Sequence, residues 1–207
     1  VSSSGSGVAV AAGVAFAAIG SDTGGSIRFP SASCALVGLK PTYGRVSLYG
    51  AFPLANSMDH IGPMTRSVED AARMLCVMAG YDAKDPNSLD VPVPNYMQSL
   101  CSAEEGATPL AGSRIGIDWS YVSDGVESAV VEVTRRALGQ LADLGAEVIE
   151  INVPPSARIL AEAWGLTCGV ECAQAHAEYF PAHQHKYGPV LRGLIELGLR
   201  TPHGDYQ

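Results

Sequence analysis

The stretch whose reading decides the fold is residues 114–153, RIGIDWSYVSDGVESAVVEVTRRALGQLADLGAEVIEINV. Arg114 to Asp118 is a short run that reads as a strand, and Ala146 to Val153 alternates apolar and polar residues as a half-buried strand does. Between them, Val126 to Leu144 carries apolar residues at helical spacing, and Gly145 supplies the stop. Two strands joined by a crossover helix pair in parallel. That places the chain in the α/β class.

Downstream of this unit, Ser156 to Tyr179 and Val190 to Leu199 read as helices. Upstream, Tyr81 to Gly112 is polar and carries Pro86, Pro92, Pro94 and Pro109, so it reads as a long surface connection with one helical turn around Tyr96. Ser67 opens a helix, because SVED offers a capping box with Asp70 in the acidic position. Val68, Ala71, Ala72, Leu75 and Ala79 form the apolar face, and Gly80 ends it. Phe29 to Pro63, broken by Pro30, Pro41, Gly44, Gly50, Pro53 and Gly62, reads as irregular loops with brief strands. Val8 to Ala18 is small and apolar on all sides and is expected as a helix deep in a core. The organisation expected is one domain over 1–207: a core at 1–80, a connecting segment at 81–112 and a continuation at 113–207.

Composition narrows the function. The 207 residues are 47% hydrophobic and 16% charged, a packed protein rather than a disordered one. A net charge of -8 and three scattered lysines, Lys40, Lys84 and Lys186, argue against a nucleic-acid surface. The five cysteines are irregularly spaced and form no C-x-x-C, which fits free thiols in a reducing compartment. Val8 to Ile19 is too short to cross a bilayer and has no basic lead. The expectation is a cytoplasmic protein without a membrane partner.

The chemistry concentrates in GSDTGGSIRFP, residues 20–30, and in SSSGS, residues 2–6. A linker has no reason to hold Asp22, Ile27, Phe29 and Pro30, and a phosphate cradle lacks its G-x-x-x-x-G-K-[ST] pattern and a nearby lysine. A turn presenting Ser26 fits better. Gly24 and Gly25 permit tight bending, so that N–H groups from Thr23 through Ser26 converge on one oxygen. The base is left open by the residues alone. His60, His176, His183, His185 or His203 could complete a Ser-His-Asp triad through folding, and a Ser-Lys system is the other solution.

SSSGSGVAVAAG, GSDTGGSIRFPSASCALVGLKPTYGRVS and NSMDHIGPMTRSVEDAARML together resemble the signature region of the amidase signature family, with looser similarity to the end of the chain. The resemblance implies that Ser26 is the nucleophile and that Ser2, 24 positions earlier and held in a cis peptide, is the bridging acid/base. It makes Thr23, Gly24, Gly25 and Ser26 the oxyanion segment, and Asp22 and Arg28 a pair that braces the loop. The implied activity is hydrolysis of a small-molecule carboxamide to a carboxylate and ammonia or an amine, by a Ser-Ser-Lys triad and without a cofactor. The family's lysine lies upstream of the first serine, whereas Lys40 matches a downstream, non-catalytic position. The sequence is therefore expected to be an internal piece of a longer protein, incomplete at both ends and inactive by itself.

YGRVSLYGAFPLANSMDHIGPM and HAEYFPAHQHKYGPVLRGLIELG look more like stand-alone amidases than like the glutamine-hydrolysing subunit of a glutamyl/aspartyl-tRNA amidotransferase, which is the alternative. A non-catalytic remnant or binding module is the reading from another class, and the presence of both serines speaks against it. Homo-oligomer formation stays open.

Four further features bear on the site. Cys168, Cys172 and His176 share a helical face at metal-like spacing without an evident fourth ligand, so no metal is expected. The histidines in HAEYFPAHQHKYG could line a substrate entrance, but a solvated helix end is the expectation, and Trp119 and Trp164 are expected as packing residues. Ser57 and Asp59 are expected to support the active-site loop.

Overall fold

The computed structural model describes residues 2–98, 100 and 108–206, with the side chains of 155–162, 203 and 205 set aside. The chain divides into two compact units, Val1–Leu100 with Glu162–Gln207, and Cys101–Ala161.

In the first unit, α1 (Ser4–Ala11) is followed by β1 (Ala18–Asp22), α2 (Arg28–Ser33), β2 (Val37–Gly38), β3 (His60–Thr65) and α3 (Val68–Met78). The helix expected at Val8–Ala18 is displaced. It begins earlier, at Ser4, and ends at Ala11, because Gly13 turns the backbone to φ +74. Nor is that stretch deep in a core. Val10 is fully buried, but Val8, Val14 and Phe16 are exposed.

Strands β1, β3 and β2 form an antiparallel sheet in that order, with Ala18 opposite Met64 and Asp22 opposite His60. Met64 and Ile27 are fully buried beside it. Ser67 caps α3 as expected, its hydroxyl accepting from the Asp70 N–H at 3.1 Å, but the Asp70 carboxylate accepts from that hydroxyl at 2.7 Å rather than completing the box through the Ser67 N–H.

The same unit contains the later part of α6 (Pro155–Ala175), then α7 (Phe180–His183), a 3-10 turn at Gln184–Lys186, α8 (Pro189–Arg200) and α9 (His203–Tyr206). Cys172, Ala173, Phe180 and Ile195 make a buried cluster, with Leu54, Tyr187, Leu191 and Leu194 packed on it.

The second unit carries the strand–helix–strand unit. β4 (Arg114–Ile117) pairs in parallel with β5 (Glu147–Glu150), and α5 (Ser128–Asp143) connects them. A short helix not foreseen, α4 (Trp119–Ser123), precedes α5. Asp118 caps it, accepting from the Tyr121 N–H at 3.1 Å, and also accepts from the Val153 N–H at 2.7 Å. The Val153 bond foremost, with those from Ser120 and Tyr121, holds this carboxyl down to about 2. The guanidinium of Arg135 lies 4.2 Å over the Trp119 ring, so Trp119 packs as expected.

The fold class is α/β, with antiparallel and parallel strands in two sheets. The described part of the 81–112 connection holds no helix or strand, and Tyr96 sits in a turn closed by Gln98 N–H to Asn95 O at 3.0 Å. Residues 99 and 101–107 of that connection lie outside the described residues. No described helix is long and apolar enough to cross a membrane.

Candidate functional site

Ser26 lies on the turn between the end of β1 at Asp22 and the start of α2 at Arg28. The turn is built around one carboxylate. Asp22, fully buried, accepts from the N–H groups of Gly25 at 2.6 Å and Ile27 at 3.1 Å. Arg28 adds a two-pronged ion pair through Nε at 3.0 Å and Nη2 at 2.9 Å. Burial pushes the Asp22 carboxyl upward, but Arg28 and the Gly25 and Ile27 amides outweigh it, so the group titrates below its ordinary range. Asp22 thus gathers two turn amides and the Arg28 guanidinium on one carboxylate.

These bonds redirect one of the four oxyanion candidates. Gly25 sits at φ +123, and its N–H points to Asp22. The N–H groups of Thr23, Gly24 and Ser26 are those that Asp22 does not engage.

Ser2 approaches from the other side. Its backbone N–H donates to Ser26 Oγ at 3.4 Å, which brings together residues 24 apart in sequence. The neighbouring Ser3 fastens this segment to β1: its hydroxyl accepts from Ser21 N–H at 3.0 Å and donates to Ser21 O at 3.1 Å. No cis peptide occurs among the described residues, and the bond preceding Ser2 lies outside them because it involves Val1.

Among the described residues no histidine is hydrogen-bonded to Ser26. His60 Nδ1 faces backbone oxygens, Met58 O at 2.6 Å and Asp22 O at 3.3 Å, rather than a carboxylate. This arrangement does not make a Ser-His-Asp chain. Lys40 Nζ donates to Pro41 O at 2.8 Å, and burial followed by the charge of Arg28 lowers its pKa. It bonds to neither serine.

Asp59 supports the turn as expected. Thr23 Oγ1 donates to its Oδ1, while its Oδ2 accepts from Leu54 N–H at 2.8 Å and Ala55 N–H at 3.1 Å. Ser57 acts elsewhere: its N–H donates at 2.8 Å to the buried Glu171 of α6, which also accepts from Tyr206 OH at 3.1 Å.

Sequence reading missed two features. Trp164 is more than packing, because its Nε1–H donates to Thr23 O at 3.1 Å. The second is a cavity of about 550 Å³ whose wall includes Ser2, Ser21, Thr23, Asp59 and His60. Phe52, from a loop with no periodic pattern, and His176 line it too. His176 is thus not on a solvated helix end. It is buried, tilted against Phe52 at 4.8 Å and bonded through Nδ1 to Tyr187 OH at 2.9 Å. His183 and His185 are exposed as expected.

The cysteine face belongs to the interior. Cys168 and Cys172 are fully buried, and burial foremost pushes both thiols up to about 11. No group of three His, Cys, Asp or Glu that could hold a metal occurs among the described residues.

The comparisons with known proteins converge. A family model described as Amidase matches residues 1–195. The chain is 45% identical over 213 residues to a Mycobacterium tuberculosis protein named "Putative amidase AmiD", covering all of this chain and 42% of that one. It is 42% identical over 200 residues to a Glutamyl-tRNA(Gln) amidotransferase subunit of Akkermansia muciniphila, covering 97% and 41%. Among solved structures, the native peptide amidase of Stenotrophomonas maltophilia superposes with a TM-score of 0.76 at 32% identity, covering 99% of this chain and 45% of that one. The chain thus spans about two-fifths of the length of the curated relatives it matches.

Proposed function

Because the chain belongs to the Amidase family, we propose that its protein hydrolyses a carboxamide C–N bond through an acyl-serine intermediate on Ser26. The observation that carries this reading is the approach of Ser2 N–H to Ser26 Oγ at 3.4 Å, on a turn fixed by Asp22.

Ser26 Oγ attacks the carbonyl carbon, and its proton passes through Ser2 Oγ to the leaving nitrogen. The N–H groups of Thr23, Gly24 and Ser26 receive the developing oxyanion, with Gly25 holding the turn through Asp22. The C–N bond then breaks and releases ammonia or an amine. Water attacks the ester carbon, its proton returns along the same relay, and Ser26 is regenerated with the carboxylate as product. In the Ser-Ser-Lys scheme the base is a neutral lysine N-terminal to the bridging serine. Both units belong to one amidase domain in this reading, since the family match runs through both. The cysteines are irregularly spaced, and the four among the described residues are free, which fits a cytoplasmic setting.

The test is covalent labelling of the full-length protein with a fluorophosphonate. Label on Ser26, lost in Ser26→Ala, is the expected result, and label that persists in that variant means another residue is the nucleophile.

The second reading is the glutamine-hydrolysing subunit of a tRNA amidotransferase, favoured by the 42% identity to the Akkermansia protein. In that case the full-length protein would co-purify with partner subunits and release ammonia from glutamine.

A further inference from the structure

We propose that the substrate is an uncharged amide bearing a bulky apolar substituent, lodged in the cavity beside Ser2 and Thr23. This deepens the amidase reading above and rests on it.

The cavity, about 550 Å³, falls within the range of small-molecule sites. Thr23 belongs both to its wall and to the turn that carries Ser26, and Ser2, also in the wall, reaches Ser26 Oγ through its N–H at 3.4 Å. A group held there is attached next to the scissile bond.

Much of the wall is apolar. Leu48, Phe52 and Leu54 come from the loop before β3, Ile61 from β3, and Leu191 and Leu194 from α8. Phe52 is 63% exposed and rests on His176, so its ring is free to cover an incoming group.

Asn56 and Ser21 add neutral polar groups to the wall, but the groups there that can carry charge are already engaged. Both oxygens of Asp59 are taken, by Thr23 Oγ1 and by the Leu54 and Ala55 amides. His60 Nδ1 is held by Met58 O, and His176 Nδ1 by Tyr187 OH. Burial lowers the His176 pKa, which keeps its ring neutral at physiological pH. No lysine or arginine is among the described lining residues.

Glutamine brings an α-carboxylate and an α-ammonium, and no described lining residue offers a free opposite charge to either. A phenylalkyl or branched alkyl group needs none and gains from leaving water. A group as small as acetamide's methyl would leave most of the cavity unfilled.

The experiment compares kcat/KM of the full-length protein on five amides. These are 3-phenylpropanamide, N-(2-phenylethyl)acetamide, hexanamide, acetamide and L-glutamine, followed by product release. The better phenyl amide is expected to exceed both acetamide and glutamine by at least about tenfold. Protection of Ser26 from fluorophosphonate by each amide gives the same ranking where turnover is slow. Phe52→Ala, at an exposed position, is expected to raise KM for the better phenyl amide about tenfold.

Glutamine or acetamide matching the phenyl amides in turnover or protection overturns the inference and leaves the amidase reading standing. An unchanged KM in Phe52→Ala does the same. Failure of Ser26 to react with fluorophosphonate, with no amide turned over, overturns the amidase reading and the inference together.

Discussion

The indole N–H of Trp164 donates to the carbonyl oxygen of Thr23 at 3.1 Å, joining α6 to the turn that carries Ser26 across 141 positions of sequence. The ring lies so close to Gly24 that a Cβ there would stand 2.6 Å from its carbons. The proposed oxyanion donors are thus shaped by a residue remote from them in the chain.

Gly24→Ala forces the indole and the turn apart. Displacements of this size cost on the order of a hundredfold in rate when they misplace reacting groups. We expect kcat in the full-length protein to fall about that far with a smaller change in KM. Trp164→Phe, which keeps the ring and loses the N–H, should cost only about tenfold. Steady-state kinetics of both variants decide the point.

Replacing Asp22 by Asn removes the charge that Arg28 and the turn amides converge on. A loss of about 2 kcal/mol at pH 7 is expected from weakened charge-assisted bonds to a buried acceptor. The carboxyl is depressed in the folded state. Its contribution is therefore complete above its ordinary value of 3.8 and fades as pH falls through the folded value. Urea unfolding of wild type and Asp22→Asn should differ at pH 7 and converge below pH 3.8.

Ser2 and Ser26 separate by kind of defect. Ser26→Ala should abolish both turnover and fluorophosphonate labelling. Ser2→Ala keeps the nucleophile but loses the relay, so turnover should drop by about 10²- to 10⁴-fold while slow labelling of Ser26 survives. Rapid labelling in Ser2→Ala would remove Ser2 from the proton path.

The thiols offer a check on packing. Cys168 and Cys172 are buried with pKa values near 11, whereas Cys34 and Cys76 are partly exposed. In native protein at pH 8, iodoacetamide should modify Cys34 and Cys76 and spare Cys168 and Cys172 until denaturant is added. Peptide mass mapping reads the difference.

Local signals carried much of the architecture. The Ser67 cap, the Gly145 stop and the period of Val126–Leu144 are written within a few residues of the elements they define, and each appears in place. The small apolar run after Val8 misled because its composition suited a helix throughout. Gly13 alone ended it, and Ala18–Asp22 became a strand through pairing with His60–Thr65, some 40 residues on. The α2 helix was hidden for a similar reason, since Pro30 reads as a breaker but is tolerated in a helix's first turn. In the site, the motif spacing brought out Ser2, Ser26, Asp22 and Arg28. Trp164 and Phe52 reach the turn and the cavity only through tertiary contact, and nothing adjacent in sequence marks them.

The bonds to Asp22 that hold the turn lie among residues 22–28, whereas much of the apolar cavity wall comes from the loop before β3 and from α8. A substitution at Leu48, Phe52 or Leu191 can therefore remould what is accepted without loosening the bonds that aim the nucleophile. Such a division lets new selectivities arise by single steps on an unaltered reaction, and it makes the Leu48–Leu54 loop and α8 the places to begin a directed search for altered amide preference.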